Sequence, residues 1–99
     1  MNFPGNAIGR ITRNLRVFGL VQGVFYRESM CREAAKRGVT GWVRNRSDGS
    51  LEAMLHGEAP QVNDLIDWAR RGPELAQVER IEVSEDSGEF AEFIRLPTV

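Results

Sequence analysis

The chain of 99 residues contains few of the residues that build several common kinds of site. It has one cysteine, Cys31, and one histidine, His56. A single cysteine cannot form an internal disulfide, so we expect the protein to work in a reducing compartment, the cytoplasm. One cysteine and one histidine are also too few ligands for a zinc site. These counts argue against a disulfide-stabilised secreted domain and against a zinc protein.

Long apolar runs and a large net charge are missing as well. No apolar run approaches the roughly 20 residues that cross a bilayer, and the start of the chain, MNFPGNAIGRITRN, lacks the basic-then-apolar layout of a secretory signal. The formal net charge is −1, which argues against nucleic-acid binding through bulk charge. The apolar content of 41% suits one compact domain. We assign this domain to residues 10–99 and expect residues 1–9 to be a flexible arm without an assignable role.

The charge is distributed unevenly along the chain. Residues 1–50 carry nine Lys and Arg against three acidic residues, whereas residues 51–99 carry four against eleven. One interpretation is that the two halves interleave in space and the asymmetry averages out. The other is that the first half attracts a small anion.

Periodicity and turn signals divide the chain into seven elements. Apolar residues alternate with polar ones in residues 10–19 and 51–57, which predicts strands. The second helix has an apolar stripe with a spacing of three and four residues and a proline in its first turn. The dipeptide Asp48-Gly49 predicts a hairpin turn. The predicted elements are strand 10–19, helix 26–37, strand 39–45, strand 51–57, helix 59–71, strand 76–86 and a short edge strand 90–96.

This order of elements, βαββαβ with a short fifth strand, is typical of one fold class. A βα unit on each side of a central hairpin is the ferredoxin-like arrangement of an α+β protein. Right-handed crossovers place both helices on one face of an antiparallel sheet, which gives a two-layer sandwich. The topology serves RNA-binding, regulatory and enzymatic proteins, so it predicts no function by itself.

The stretch GLVQGVFYR, residues 19–27, joins the first predicted strand to the first helix. Glycines allow successive backbone N–H groups to point inward as a nest for an anion, and the helix N-terminus adds further N–H donors. Arg27 then lies in the first helical turn, where the helix dipole disfavours a cation. A bound anion would offset that repulsion, and a guanidinium can grip two phosphate oxygens at once. An ordinary structural turn beside a surface arginine is the alternative explanation.

Two stretches of the chain resemble signatures of a known family. VFGLVQGVFYR (residues 17–27) and GWVRNRSDGSLEAMLHG (residues 41–57) are similar to the two signatures of the acylphosphatases. Leu51 stands where the family usually has Val, and Tyr26 replaces a common Phe; both changes keep the character of the residue. The closing EFIRL also resembles the last strand of the family.

The resemblance implies hydrolysis of the carboxyl–phosphate bond of small acyl phosphates, without a metal, another cofactor or a covalent intermediate. It implies that Arg27 binds the phosphoryl oxygens and that Asn45 orients the attacking water. Inorganic phosphate is then the product and an inhibitor, and a monomer without nucleic-acid or membrane partners is expected. The residues predicted to bind phosphate with Arg27 are Gly19, Leu20, Val21, Gln22, Gly23, Val24 and Phe25.

Other conspicuous residues have simpler interpretations. We expect His56 to be a surface or hydrogen-bonded histidine and Cys31 to pack against the core, because no histidine is spaced to activate the thiol. Trp68 is expected to pack. Trp42 either packs or borders the mouth of the substrate site. If the strand alternates, Arg44 and Arg46 point away from Asn45 into solvent.

Several functions other than a freestanding enzyme fit parts of the pattern. An acylphosphatase-like module of a larger carbamoyl-transfer machine is one. An RNA-binding ferredoxin-like module is another, but it requires exposed aromatic residues on the central strands, where the first strand offers only Phe18. A protein that senses phosphate or an acyl phosphate differs from the enzyme only in lacking turnover.

Overall fold

The alternating and helical patterns of the sequence form two helices and five strands in a computed structural model, which describes residues 9–99. The predicted arm lies outside the described residues except for Gly9, whose carbonyl oxygen accepts a hydrogen bond from the N–H of Ala59. The elements are β1 (Arg10–Leu20), α1 (Tyr26–Arg37), β2 (Thr40–Asn45), β3 (Leu51–Glu58), α2 (Ala59–Ala69), β4 (Gln77–Glu85) and β5 (Phe93–Arg95).

The strands form one sheet in the order β4-β1-β3-β2-β5. Strands β1 to β4 pair antiparallel with their neighbours, and the two βα units on either side of the β2–β3 hairpin confirm the predicted ferredoxin-like α+β fold. The predicted antiparallel pairing holds for β1 to β4, whereas the short fifth strand, β5, pairs parallel with β2. The chain leaves β4 and passes the sheet face that the helices leave open, where the ring of Phe90 lies 6.2 Å from that of His56. It therefore reaches the far edge running in the direction of β2.

The core lies between the helices and one face of the sheet. Alternate residues of the central strands point into it, and the predicted apolar stripe of α2 covers them. Tyr26, at the start of α1, is buried, and its hydroxyl donates a hydrogen bond to the carbonyl oxygen of Ala69 at the end of α2. Burial raises the pKa of the Tyr26 hydroxyl well above its usual range. The largest fully buried side chains are Tyr26, Leu15, Met30, Leu51, Leu55, Leu65, Val17, Val21, Val43 and Val62.

The predicted bounds differ from the observed ones mainly at the edges of the sheet and at the end of α2. Helix α1 spans the predicted residues 26–37, and Gly38 ends it in a left-handed conformation. Strand β5 is shorter than predicted because it pairs only with residues 41–43 of β2. Helix α2 ends at Ala69, before a turn that leads to Gly72. No helix within residues 9–99 combines the length and apolar character that would let it span a bilayer.

Candidate active site

A cleft opens at the edge of the structure where β1 leads into α1 and where β2 ends. It has a volume of about 310 Å³, near the lower end of the usual range for small-ligand pockets. The loop after β1, the first turn of α1, the end of β2 and the edge strand β5 all contribute to its wall. The lining residues are Val21, Gly23, Phe25, Tyr26, Arg27, Glu28, Asn45 and Arg95.

The loop turns into α1 through an unusual backbone conformation. Phe25 is the N-cap of the helix with φ of 66°, and within residues 9–99 it is the single non-glycine residue with positive φ. Its side chain forms no capping hydrogen bond and is 68% exposed. Such a conformation costs on the order of 1–3 kcal/mol and occurs often at functional sites. Gly23, with φ of 75°, provides the second left-handed residue of the loop.

The backbone N–H groups at this helix start have no acceptor among the described residues. The first turn begins with the hydrogen bond from the N–H of Ser29 to the carbonyl oxygen of Phe25, and no hydrogen bond from the N–H groups of residues 22–28 to the rest of residues 9–99 is found. The first N–H groups of a helix lack intrahelical partners, and the positive end of the helix dipole lies there. The loop and the helix start therefore offer a group of donors suited to an anion.

Arg27 is the second residue of α1, as predicted, and its side chain is half-buried on the wall of the cleft. Among the described residues it has no hydrogen-bonding or ion-pair partner. Several other arginines of the chain do have such partners, for example Arg37 with Asp64 at 2.7 Å. A half-buried guanidinium beside the positive end of a helix dipole is electrostatically unfavourable unless an anion binds next to it.

Asn45 is the last residue of β2 and lies across the cleft from the helix start. It is 8% exposed. The alternation along β2 turns its side chain toward the helices, on the same face as Val43. Its Oδ1 is buried and has no hydrogen-bond partner within the described chain. A buried amide oxygen without a partner costs free energy, so Asn45 holds an acceptor ready for a donor that enters the cleft.

Gln22 connects the loop to the strand that carries Asn45. Its Nε2 donates hydrogen bonds to the carbonyl oxygen of Arg46, at 2.7 Å, and to that of Ser50, at 2.9 Å. Arg46 follows Asn45 directly, and Ser50 precedes β3. The side chain of Gln22 therefore holds the loop at a fixed distance from the end of β2.

Five of the nine predicted site residues line the cleft, and the other four do not. The five are Val21, Gly23, Phe25, Arg27 and Asn45. The remaining four are Gly19, Leu20, Gln22 and Val24. The roles of all nine residues in binding or catalysis stay predictions. The side chain of Val24 is buried in the core, and Leu20 ends β1.

The structure gives Gly19 a further role. It lies at a bulge in the pairing of β1 with β4, with φ of 128°. A Cβ atom there would come within 2.2 Å of the carbonyl oxygen of Gln77. The close approach of the β4 backbone therefore requires a glycine at this position, whatever the loop binds.

The comparison with known proteins decides the family. A family model described as acylphosphatase matches residues 13–94. The chain belongs to the acylphosphatase family. It is 61% identical over 75 residues to an acylphosphatase of Acidovorax sp. (strain JS42), covering 76% of this chain and 77% of that protein.

Solved structures agree with this assignment of the chain to the acylphosphatases. An acylphosphatase from Coxiella burnetii superposes with a TM-score of 0.86 at 30% identity, covering 96% of this chain and 100% of that one. A full-length HypF, solved in a phosphate- and nucleotide-bound form, superposes with a TM-score of 0.83 at 28% identity. That match covers 90% of this chain but 12% of the HypF chain. The acylphosphatase fold thus occurs alone and as a small part of a longer chain.

On the other face of the sheet, the two arginines on either side of Asn45 form ion pairs. As expected, Arg44 and Arg46 point away from Asn45. Their solvation is only partial, with 25% and 32% of the side chains exposed, because both contact Glu52, at 3.0 and 2.7 Å. Burial raises the pKa of Glu52, but hydrogen bonds from Asn14 and the two arginines outweigh it and leave the pKa below its usual value.

The two tryptophans differ in their surroundings. Trp42 lies on the open face, with the guanidinium of Arg44 4.6 Å from its ring centroid, so it does not border the cleft. Trp42 is half-buried and packs against Arg44, as one of the two expectations had it, and the alternative that it borders the substrate site is wrong. Trp68 packs as predicted, in an edge-to-face contact with Tyr26 at 5.5 Å between ring centroids.

The single histidine and the single cysteine have the predicted structural roles. The Nδ1 of His56 lies 2.7 Å from the hydroxyl of Thr12, on the sheet face opposite the cleft. Cys31 packs against the core. Burial raises the pKa of its thiol, Arg95 opposes that rise and Glu28 adds to it. Residues 9–99 contain no cluster of three or more His, Cys, Asp or Glu side chains that could hold a metal ion.

The sequence did not single out three of the cleft residues. In the sequence, Tyr26 stands out only as an aromatic replacement, Arg95 only as part of EFIRL, and Glu28 not at all. The first two lie in α1 beside Arg27, so the helix prediction contained a signal for them. Arg95 reaches the cleft because β5 lies beside β2, and that pairing joins distant parts of the chain.

Proposed function

We propose that this protein hydrolyses the carboxyl–phosphate bond of small acyl phosphates and releases a carboxylate and inorganic phosphate. Membership of the acylphosphatase family supports a hydrolase that acts on acyl phosphates. The observation that carries the proposal for this chain is the meeting of Arg27 and Asn45 in one cleft, from two elements of the fold. Within residues 9–99, Arg27 offers a cation without a partner and Asn45 a buried hydrogen-bond acceptor without a partner.

The phosphoryl group binds between the guanidinium of Arg27 and the backbone N–H groups of the loop that includes Leu20–Phe25. The geometry supports this proposal because no side chain of residues 9–99 caps the helix start, which leaves its donors available. Two parallel hydrogen bonds from one guanidinium fix the orientation of a phosphate as well as its position. The same groups stabilise the charge that spreads over the phosphoryl oxygens during the reaction.

Asn45 holds the attacking water. Its Oδ1 accepts a hydrogen bond from the water, and its amide N–H₂ can donate to the substrate without a change of charge. The water oxygen attacks phosphorus, the bond from phosphorus to the acyl oxygen breaks, and the carboxylate leaves with the bonding electrons. One proton of the water passes to a phosphate oxygen of the substrate. A carboxylate is a good leaving group, so positioning and charge stabilisation carry most of the rate enhancement.

The side chains near the cleft support a mechanism without a separate general base. Glu28 lines the cleft, but its carboxylate contacts Arg32 at 3.2 Å. His56 lies on the opposite face of the sheet, hydrogen-bonded to Thr12. We propose that the reaction needs no metal or other cofactor and that inorganic phosphate inhibits as the product. We further propose a cytoplasmic monomer without nucleic-acid or membrane partners, on the basis of its composition and single cysteine.

Hydrolysis of benzoyl phosphate in H₂¹⁸O, with EDTA present, tests this function. We expect catalysed turnover that places the ¹⁸O label in inorganic phosphate. Benzoate should contain no more label than it does in the uncatalysed reaction. Label in benzoate would show attack at the carbonyl carbon and overturn the mechanism. Absence of turnover, with inorganic phosphate still bound, would favour a phosphate-sensing protein. Turnover that depends on a metal would overturn the metal-free reaction.

A further inference from the structure

The cleft contains a second arginine that the proposed phosphate site does not use. Arg95 lies on β5, opposite Val43 in the parallel pairing with β2. Paired residues of adjacent strands point to the same face of a sheet, so Arg95 lies on the face of Val43 and Asn45, beside α1. Its side chain lines the cleft together with Arg27.

Arg95 lies further along α1 than the phosphate site does. It also lines a depression that adjoins the cleft, together with Glu28 and Cys31. Cys31 follows Arg27 by one helical turn, about 6 Å at a rise of roughly 1.5 Å per residue. The guanidinium of Arg95 is close enough to Cys31 to oppose the rise in the pKa of its thiol. The two cationic groups are therefore arranged along the helix.

The charge of Arg95 is not compensated within the described chain. No hydrogen bond or ion pair joins its side chain to another of the described residues. Glu28 is the acidic side chain that the cleft and the depression share, and its carboxylate pairs with Arg32 at 3.2 Å. Once a phosphoryl group neutralises Arg27, the far end of the cleft still presents a positive charge.

We propose that Arg95 determines specificity for acyl phosphates whose acyl group carries a second anionic group, such as a carboxylate or a phosphate. This inference rests on the proposed function and names the class of substrate. The phosphoryl group binds at the loop and Arg27, the acyl carbons lie along the start of α1, and the second anion pairs with the guanidinium of Arg95. An acyl group of a few carbons covers the offset of about one helical turn.

Three matched substrates separate this role from phosphate binding. Benzoyl phosphate lacks a second polar group, 4-carbamoylbenzoyl phosphate carries a neutral one, and 4-carboxybenzoyl phosphate carries a charged one of similar shape. Values of kcat/KM are measured for the wild type, Arg95→Gln and Arg95→Lys. Arg70→Gln is the matched control, because Arg70 is an exposed arginine at the end of α2 that does not line the cleft.

We expect the wild type to prefer the carboxylate to the carboxamide by about tenfold, a typical gain for a charge-assisted hydrogen bond. Arg95→Gln should reduce that preference to less than about twofold, because the loss falls mainly on the substrate with the carboxylate. Arg95→Lys should keep part of the preference, and Arg70→Gln should keep all of it. An equal loss on all three substrates would assign Arg95 to the phosphate instead, and an unchanged preference in Arg95→Gln would overturn the inference.

A binding measurement keeps the test independent of turnover. Calorimetry measures the Kd values of two non-hydrolysable analogues, benzoylphosphonate and its 4-carboxy derivative. The inference predicts that the carboxylate tightens binding by about tenfold in the wild type and has almost no effect in Arg95→Gln. Equal affinities for the two analogues in the wild type would overturn the specificity role. Absence of hydrolysis would overturn the proposed function, whereas equal affinities would overturn only the role of Arg95.

Discussion

The side-chain nitrogen of Gln22 lies 2.7 Å from the carbonyl oxygen of Arg46, the residue that follows Asn45 in the chain. A second hydrogen bond, to the carbonyl oxygen of Ser50, fixes the amide between the two ends of the β2–β3 hairpin. The proposed phosphate loop is thereby attached to the strand that carries the water-binding residue. Because catalysis by positioning loses rate with displacements of about 1 Å, this attachment bears directly on the proposed reaction.

Gln22→Ala tests the attachment. The variant loses both hydrogen bonds, so the loop and Asn45 can move relative to each other, and we expect kcat to fall by about tenfold. A purely structural role would lower the thermal stability and leave kcat of the folded protein unchanged. Gln61→Ala, at an exposed position of α2, is the matched control. Unchanged kcat in Gln22→Ala would show that the two hydrogen bonds do not position the site.

Asn45→Ala separates water positioning from phosphate binding. We expect kcat to fall by about 10²–10⁴, the range for loss of one positioned polar group. The inhibition constant of inorganic phosphate should change by less than about twofold, an expectation that follows from the placement of the phosphate on Arg27 and the loop. Steady-state kinetics with phosphate as competitor measures both quantities, and Asn63→Ala, exposed on α2, is the control. A large rise in the inhibition constant would instead make Asn45 a phosphate ligand.

Glu52→Gln tests the charge cluster on the open face of the sheet. The pKa of Glu52 is lower in the folded protein than its ordinary value of 4.5, so its contribution to stability is present above that value and is lost as the pH falls through the folded pKa. At pH 7 the substitution should reduce the free energy of unfolding by about 1–3 kcal/mol, because two arginines lose their partner. Urea unfolding between pH 7 and pH 3 measures the difference in unfolding free energy between the wild type and Glu52→Gln. That difference should shrink below about pH 4.5. A difference that stays constant over that range would contradict the account.

Cys31→Ala tests whether the thiol takes part in the reaction. Burial raises its pKa, so little thiolate is present at neutral pH, and its side chain packs against the core rather than lining the cleft. We expect kcat and KM for benzoyl phosphate to stay within about twofold of wild type. Inactivation of the folded variant, or rapid loss of wild-type activity with iodoacetamide, would indicate a nucleophilic thiol.

The fold could be predicted from the sequence where the signals are local. Gly38 ends α1 at the expected residue, and the turn at Asp48-Gly49 places the β2–β3 hairpin. The alternation along β2 turns Asn45 and Arg44 to opposite faces, as predicted. In these cases a short stretch of chain determines its own backbone conformation.

The features that could not be predicted depend on contacts between distant parts of the chain. The parallel direction of β5 follows from the path of residues 86–92 across the sheet, and no local pattern encodes that path. The pairing of Arg44 and Arg46 with Glu52 requires the β2–β3 register. The placement of Arg95 in the cleft requires the pairing of β5 with β2. Side-chain partners across strands determine these features.

The most direct test of the central claim compares the wild type with Arg27→Ala and Arg27→Lys in the hydrolysis of benzoyl phosphate. EDTA is present, inorganic phosphate is the competitor, and Arg70→Ala is the control. We expect metal-free turnover by the wild type and competitive inhibition by phosphate. Both Arg27 variants should lose phosphate affinity and turnover, because lysine keeps the charge but cannot donate two parallel hydrogen bonds to the phosphate. Near-native turnover and phosphate affinity in Arg27→Lys or Arg27→Ala would contradict the proposed phosphate site.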